Sequence, residues 1–249
     1  MATGKKSFRI LIVGVGGLGV PALWALARDG ARDLTLVDPE SVELSNLPRQ
    51  VIFREVDLGA PKVEAAARWL GENFPQIKVA RHVLALDESN AARLVAEHDF
   101  VIDATDSPVT KFLINDACIA ARKSFAYGGV IGMTGQAMTV TPGVSACLRC
   151  VFENPPDDDE IQSCREAGIV GPVAGAIGMM QAAEAMRASR AQSPLLSGKI
   201  LTYDAARIAR VRITEVNPRP GCGCGASKMQ PAAATNLGAG ASNRADETS

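Results

Sequence analysis

The sequence carries almost no excess charge and only two histidines, and both shortages limit what the chain can do. Its 26 lysines and arginines balance 27 aspartates and glutamates, so the net charge is −1 and we expect no electrostatic surface for DNA. His82 and His98 fall in a strand pattern and at a helix end, and we expect each to be structural or exposed, with no catalytic role. At 47% hydrophobic and 21% charged, the 249-residue chain can nevertheless bury a full core, which excludes overall disorder.

Long uninterrupted hydrophobic runs are missing as well. The uncharged run Ile10–Ala27 ends like a signal-peptide cleavage site, but ordered glycines and Pro21 interrupt it, and cleavage would delete the most informative motif of the chain. A second apolar stretch, Ile169–Ala183, is shorter than a membrane span and contains Pro172 and several glycines. We therefore expect neither export nor a membrane segment.

The order of strand and helix patterns predicts an α/β fold. In the first half, predicted strands alternate with predicted helices, which is typical of a parallel sheet with right-handed crossovers. The strands are Arg9–Val13, Asp33–Val37, Ile77–His82 and Phe100–Asp103, and the helices are Gly19–Asp29, Lys62–Asn73, Glu88–His98 and Lys111–Ala121. The second half adds strands at Ser124–Gly129, Gly135–Thr141, Lys199–Tyr203 and Arg210–Glu215, and a helix at Pro172–Arg187.

We therefore expect a Rossmann-like, doubly wound, mostly parallel sheet that is extended by C-terminal antiparallel strands. One domain is predicted over residues 1–225. From Ala226 to Ser249 the chain is mostly Ala, Gly, Ser and Asn, too poor in large apolar residues to offset the entropy of folding, so we predict a disordered tail.

A glycine-rich segment joins the first predicted strand to the first helix. In this context, Gly14 permits a tight turn, Gly16 lets backbone N–H groups approach phosphate oxygens, and Gly19 allows close helix–strand packing. Gly17 belongs to the same predicted nucleotide-binding loop. Asp38 follows the next strand about twenty residues later, where a carboxylate can accept hydrogen bonds from ribose hydroxyls. The segment indicates a nucleotide site, and a purely structural glycine turn is the alternative.

Two cations and a further acid follow the later strands. Arg49 lies in the segment Ser45–Gln50, Lys62 opens the second predicted helix, and Asp106 ends the segment Asp103–Asp106. A triphosphate with Mg²⁺ uses an Arg for bidentate contact, a Lys as a point charge and a carboxylate on the metal, whereas a nicotinamide dinucleotide needs only a dry groove. Each residue alone also has an ordinary surface or helix-end explanation, but their joint placement favours the triphosphate.

These segments together resemble the ThiF, MoeB and HesA adenylyltransferases, which are related to the ubiquitin-activating enzymes. The resemblance runs from about Phe8 to Gly225 and includes Ser45-Asn46-Leu47-Pro48-Arg49-Gln50, Gly59–Lys62, Cys147-Leu148-Arg149-Cys150, Cys164–Gly171 and Asn217–Gly225. It implies ATP-dependent adenylation of the C-terminal glycine carboxylate of a ubiquitin-like sulfur carrier ending in Gly-Gly, with release of pyrophosphate.

The resemblance also implies roles for individual residues and an oligomeric state. Asp38 would bind ribose, Arg49 and Lys62 would bind phosphates, Asp106 would hold Mg²⁺, and Asn46 belongs to the same nucleotide-binding set. The carboxylate nucleophile is already ionised near neutral pH, so the reaction requires positioning and charge neutralisation and no general base. Because the family is usually dimeric, we expect a homodimer.

Six cysteines are too few and too clustered for a disulfide scaffold of this length, so we expect a reducing, cytoplasmic setting. Four of them suit a tetrahedral structural zinc site, namely Cys147, Cys150, Cys222 and Cys224. The second pair has only Gly223 between its members, where the family usually has two residues, and free thiols are the alternative.

The two other cysteines are expected to differ from one another. Cys118 falls in an apolar helical pattern and is expected to be a small core residue. Cys164 follows an acidic loop, and Arg165 beside it could lower the pKa of its thiol. By resemblance, Cys164 is a candidate for a covalent link to the carrier or for sulfur relay, with packing in the loop as the alternative.

Three features depart from the family pattern. Members typically carry an N-terminal helix whose arginine reaches the partner's ATP, and we expect that Met1–Ser7 cannot form it. Ser107 and Lys111 stand where the family commonly has Asn and Arg, and Lys cannot reproduce bidentate Arg contact. Alternative functions are a non-catalytic scaffold that binds nucleotide and carrier, a relative that activates a tRNA or small-molecule carboxylate, and, less favoured, an NAD-dependent oxidoreductase.

Overall fold

The computed structural model describes residues 7–156, 168–207 and 210–225. The strands in this part of the chain are β1 Arg9–Val13, β2 Asp33–Val37, β3 Lys78–His82, β4 Phe100–Asp103, β5 Ser124–Ile131, β6 Thr134–Val140, β7 Lys199–Asp204 and β8 Arg210–Glu215. The helices are α1 Gly19–Arg28, α2 Lys62–Asn73, α3 Ala91–Ala96, α4 Pro108–Ala121, α5 Leu148–Val151 and α6 Gly171–Ser189, with short 3₁₀ turns at Leu44–Asn46 and Glu55–Asp57.

The strands form one mixed sheet in the order β3-β2-β1-β4-β5-β6-β7-β8. Strand β1 pairs in parallel with β2 on one side and with β4 on the other, so the strand order reverses at β1. Strands β1 to β5 all run parallel to one another. Strands β6, β7 and β8 continue the sheet, and each of them pairs antiparallel with the strand before it. This confirms the predicted α/β fold with its antiparallel extension.

Helices cover both faces of the sheet, which is why β1 is apolar at every position after Arg9. Ile10 and Ile12 of β1 pack on one face against α1, α2 and α6, and Leu11 and Val13 pack on the opposite face against α3, α4 and α5. Strand β8 lies at the edge of the sheet and is exposed along its whole length. The buried core therefore lies around the parallel strands, where the glycine-rich segment emerges.

The predicted helix Glu88–His98 is wrong in its extent, because α3 covers only Ala91–Ala96. The carboxylate of Asp87 accepts the backbone N–H of Ser89 at 2.9 Å, and this local turn replaces the first helical turn. His98 lies beyond the helix and is buried, with Nε2 2.7 Å from the Thr35 hydroxyl. Burial lowers the pKa of His98, in keeping with the expected structural role.

Helix α4 begins earlier than predicted, at Pro108 instead of Lys111. The Ser107 hydroxyl accepts the backbone N–H of Thr110 at 3.3 Å, and proline suits the first helical position because it lacks an N–H group. Helix α5 and the two 3₁₀ turns were not predicted, since they are too short to produce an apolar period.

The predicted tail Ala226–Ser249 lies outside the described residues. Among the described helices, none is both long enough and apolar enough to cross a membrane.

Helices α1 and α6 pack against each other with their backbones in close contact. A Cβ atom at Gly178 of α6 would overlap the carbonyl oxygen of Leu18, just before α1. A Cβ atom at Gly175, one turn away, would meet nothing nearer than the Pro21 ring at 4.0 Å. Of these two positions, only Gly178 has no room for a side chain. This close contact fixes the position of α1 against α6.

We predict opposite effects for alanine at these two positions. Gly178→Ala should lower the free energy of unfolding by about 1–3 kcal/mol, because the new methyl group overpacks the helix contact. Gly175→Ala should raise it by about 0.4–1 kcal/mol, because alanine restricts the unfolded chain and fits the helix. Urea unfolding of both variants measures the difference, and equal effects would contradict the packing assigned to Gly178.

Candidate active site

A cavity of about 670 Å³ lies at the carboxyl ends of β1, β2 and β4, where the strand order reverses. Open α/β sheets bind ligands at such a point because the loops on its two sides diverge. Most of the residues predicted from the sequence line this cavity, namely Gly14, Gly16, Gly17, Asp38, Asn46, Arg49, Lys62 and Asp106. The structure thus brings together side chains that are up to 92 positions apart in the sequence.

The glycine segment forms the tight turn between β1 and α1. Gly14 has a φ of +92°, which a residue with a side chain rarely adopts, and its N–H donates to the Val37 carbonyl oxygen at 2.8 Å. Gly19 lies below the cavity, and a Cβ atom there would overlap the Gly14 carbonyl oxygen. The turn therefore aims the N-terminus of α1 at the cavity, where its dipole favours an anion.

Asp38 is buried and fixed by the backbone on both sides. Its Oδ2 accepts the N–H of Val15 at 2.6 Å, and its Oδ1 accepts the N–H of Glu40 at 2.8 Å. Burial raises the pKa of Asp38, although these hydrogen bonds and nearby Lys62 oppose the increase. Each carboxylate oxygen has further lone-pair capacity, so Asp38 can accept additional hydrogen bonds from a ligand in the cavity.

The two predicted cations differ in their surroundings. Lys62 is 4% exposed, and its ammonium group forms an ion pair with the carboxylate of Glu40, which is 63% exposed. Arg49 donates to the Ser45 carbonyl oxygen at 2.8 Å and has no carboxylate partner among the described residues. Arg49 therefore keeps most of its guanidinium donors for a ligand, whereas Lys62 must exchange its contact with Glu40.

Asn46 and Asp106 both line the cavity, but they differ in burial and in hydrogen bonding. Asn46 is buried, and its side-chain oxygen accepts the N–H of Glu43 at 3.3 Å, so it shapes the 3₁₀ turn that precedes Arg49. The Asp106 carboxylate is exposed at the cavity and has no hydrogen bond or ion pair among the described residues. Ser107, and not Asp106, caps α4, which removes the helix-end explanation for this acid.

Sequence reasoning missed several polar residues of the cavity wall, and Glu40 and Gln50 are the two with the most distinctive surroundings. Glu40 lies two positions after Asp38 and holds Lys62, and a carboxylate so close to a predicted ribose ligand was a usable signal. Gln50 is 1% exposed, and its Oε1 has no hydrogen-bond partner among the described residues. No local pattern distinguishes a buried glutamine from an exposed one, so its burial could not be predicted from position alone.

The four predicted zinc ligands form one cluster, whose sulfur atoms all lie within 4.8 Å of one another. The Sγ atoms of Cys147 and Cys150 are 3.9 Å apart, and Cys222 and Cys224 lie 3.6 Å and 3.7 Å from those two respectively. A tetrahedral zinc ion with Zn–S bonds of about 2.3 Å requires S···S separations of about 3.8 Å. The cluster is therefore consistent with zinc, and the single residue Gly223 is a sufficient spacer.

The cluster joins segments that are distant in sequence. The N–H of Arg219 donates to the sulfur of Cys150 at 3.3 Å, so the C-terminal segment contacts α5 through this hydrogen bond as well as through the sulfur atoms of the cluster. Cys118 is buried in α4, as predicted for a core residue. Cys164 lies outside the described residues.

The chain is similar to proteins of one family. The ThiF family model matches residues 5–224. Adenylyltransferase and sulfurtransferase MOCS3 of Arabidopsis thaliana is 38% identical over 210 residues, which cover 84% of this chain and 45% of that protein. The SAMP-activating enzyme E1 of Haloferax volcanii is 38% identical over 199 residues, which cover 80% of this chain and 73% of that protein.

The solved structure of E. coli MccB with ATP has the same fold, with a TM-score of 0.77 and 23% sequence identity over 88% of this chain and 67% of that chain. The chain thus spans less than half of the MOCS3 relative, 45% of its length, and about two thirds of MccB.

The hydrogen bonds of Asp38 predict a cost for removing its charge. Asp38→Asn should lower the free energy of unfolding by about 1–3 kcal/mol, because its NH₂ group would face a backbone N–H donor. Asp33→Asn, at the other end of β2, is the matched control because its side chain makes no hydrogen bond among the described residues. Thermal unfolding compares the two variants, and equal melting temperatures would contradict the assigned role of Asp38.

The cysteine cluster predicts a bound metal. The purified protein should contain about one zinc ion per chain, and Cys150→Ala should lose it together with thermal stability. Cys118→Ala also removes a thiol from a buried position but should keep the zinc. Elemental analysis and thermal unfolding measure both effects, and full zinc content in Cys150→Ala would rule out this cluster as the binding site.

Proposed function

This chain belongs to the ThiF family, and on that premise we propose that it is an adenylyltransferase that activates a ubiquitin-like sulfur carrier. The carrier's C-terminal glycine carboxylate attacks the α-phosphorus of ATP, the bond to the leaving oxygen breaks, and acyl-adenylate and pyrophosphate form. Two relatives, the adenylyltransferase and sulfurtransferase MOCS3 and a SAMP-activating enzyme, support this activity. One observation carries the proposal: four charged side chains line the same cavity, namely Asp38, Arg49, Lys62 and Asp106.

In the proposed complex, ATP occupies the cavity, with its ribose on the carboxylate of Asp38. Its phosphates lie over the glycine turn and the N-terminus of α1, and Arg49 and Lys62 supply positive charge to them. Because Glu40 is exposed, the more highly charged triphosphate would replace it as the partner of Lys62. Arg49 and Lys62 would therefore neutralise part of the negative charge on the leaving pyrophosphate.

Asp106 would hold Mg²⁺, because an unpaired carboxylate at the cavity is the hard oxygen donor that this ion prefers. When bound, Mg²⁺ neutralises phosphate charge. The nucleophile is already a carboxylate, so no residue has to remove a proton from it. The rate enhancement then comes from positioning and from charge stabilisation by the chain's own cations and backbone N–H groups.

Other parts of the chain would have supporting roles in this activity. The four-cysteine cluster would hold a structural zinc ion, because all four ligand positions are taken by thiolates and none is open for a substrate. Cys164 is a candidate for a covalent link to the carrier or for sulfur relay. The functional protein would be a homodimer, as is usual in the family.

The proposal predicts carrier-dependent exchange between ATP and pyrophosphate. Purified protein should catalyse exchange only when a small carrier ending in Gly-Gly is present, and Asp106→Ala should lower the rate at least about 100-fold. Asp29→Ala is the matched control, because Asp29 lies at the far end of α1 and its exposed ion pair with Arg190 contributes little.

An equal rate of exchange with and without the carrier would contradict the proposed substrate. ATP binding without exchange, for any carrier, would instead identify a non-catalytic scaffold. Exchange driven by a free amino acid, a small carboxylic acid or a tRNA would identify the other alternative.

A further inference from the structure

Lys111 lies in a buried polar network next to the loop that carries Asp106. Its ammonium group donates to Asp103 Oδ1 at 3.1 Å and to the Gly128 carbonyl oxygen at 2.6 Å. The same group lies 5.1 Å from the centre of the Tyr127 ring. An ammonium group has three N–H donors; the carboxylate and the carbonyl take two of them, and the aromatic face adds a cation–π contact.

These contacts hold Lys111 away from the cavity, so it is not a phosphate ligand in this arrangement. Its side chain is 12% exposed, and the neighbouring Thr110, but not Lys111, lines the cavity. To reach a nucleotide, Lys111 would have to leave Asp103, which is 0% exposed. An unpaired carboxylate at that depth is strongly destabilising, so the pair stays closed when the cavity fills.

Hydrogen bonds lead from this pair to the residues on both sides of Asp106. Asp103 Oδ1, the oxygen that Lys111 contacts, also accepts the N–H of Thr105 at 3.3 Å. The hydroxyl of Thr105 accepts the N–H of Ser107 at 3.1 Å. The backbone of Asp106 is therefore held between two anchored neighbours, while its carboxylate stays free at the cavity.

A second contact fixes the base of the loop from the opposite side. The Gln181 amide of α6 donates to the Asp103 carbonyl oxygen at 2.6 Å and to the Ala126 carbonyl oxygen at 3.0 Å. Asp103 Oδ2 is buried without a hydrogen-bond partner among the described residues. Lys111 is therefore the main source of positive charge for Asp103, and loss of Lys111 would release the loop at this end.

We infer that Lys111 is a positioning residue, which acts through Asp103 and Thr105 to hold the carboxylate of Asp106 where it binds Mg²⁺ with the nucleotide. This inference rests on the proposed function, since it needs ATP and Mg²⁺ in the cavity. Lys111 does not line the cavity and would touch neither of them. Its effect should therefore appear in the affinity for Mg²⁺ and be absent from the affinity for the nucleotide alone.

The test is ATP binding by isothermal titration calorimetry, with and without Mg²⁺, on the full chain. Lys111→Met keeps the length of the side chain but removes its charge, and it should weaken the Mg²⁺-dependent part of binding about 10-fold or more. ATP binding without Mg²⁺ should stay within about twofold. Lys111→Arg, which keeps the charge, should fall between wild type and Lys111→Met.

Two further variants separate positioning from a general loss of stability. Lys123→Met makes the same substitution just after α4, and this lysine forms no ion pair among the described residues, so Mg²⁺ dependence should be unchanged. Thr105→Val keeps the shape of the side chain and removes only the acceptor for Ser107 N–H. It should reproduce the Mg²⁺ effect of Lys111→Met, and it serves as the test if Lys111→Met does not fold.

Four results would overturn the inference. Equal loss of ATP affinity with and without Mg²⁺ would make Lys111 a nucleotide ligand. A lower melting temperature with unchanged Mg²⁺ dependence would make the network structural only. If the wild-type protein binds no ATP, the proposed function itself is contradicted. If the wild-type protein catalyses exchange but Lys111→Met and Thr105→Val keep the wild-type Mg²⁺ dependence of ATP binding, this inference alone is contradicted.

Discussion

The reversal of strand order at β1 is the constraint on which the candidate site depends. Because β1 pairs with β2 on one side and β4 on the other, the loops that follow these strands diverge and leave a cavity between them. Asp38 follows β2 and Asp106 follows β4, so the two acids face the cavity from opposite sides. A different strand order would leave the same residues in the sequence but would separate them in space.

The reversal alone does not place a phosphate-binding surface in the cavity, because the N-terminus of α1 must also lie close to the end of β1. Two close backbone contacts fix its position: Gly19 packs against the Gly14 carbonyl oxygen, and Gly178 packs against the Leu18 carbonyl oxygen. Side chains at these positions would push α1 away from β1 and from α6. The N-terminus of α1 is therefore held by contacts that admit no Cβ atom, and its dipole has a fixed direction toward the cavity.

Much of the parallel sheet and most of the cavity lining could be predicted from the sequence, because buried parallel strands and glycine turns leave strong local patterns. Local patterns failed where a few hydrogen bonds decide the outcome. The turn at Asp87 shortened α3, and the Ser107 cap lengthened α4. Pairings between distant residues left no local signal at all, so neither the Glu40–Lys62 pair nor the surroundings of Lys111 could be predicted.

The polar residues around the cavity divide by how far their hydrogen-bonding capacity is used within the chain. Asp106 and Arg49 keep most of theirs free, which suits groups that meet a ligand. Lys111 donates to the buried Asp103 carboxylate and to a backbone carbonyl and contacts the Tyr127 ring, which suits a group that holds others in place. Lys62 stands between these cases, because its partner Glu40 is exposed and a triphosphate carries enough charge to replace it. The same residue type, lysine, thus serves two tasks, and the burial of its carboxylate partner decides which.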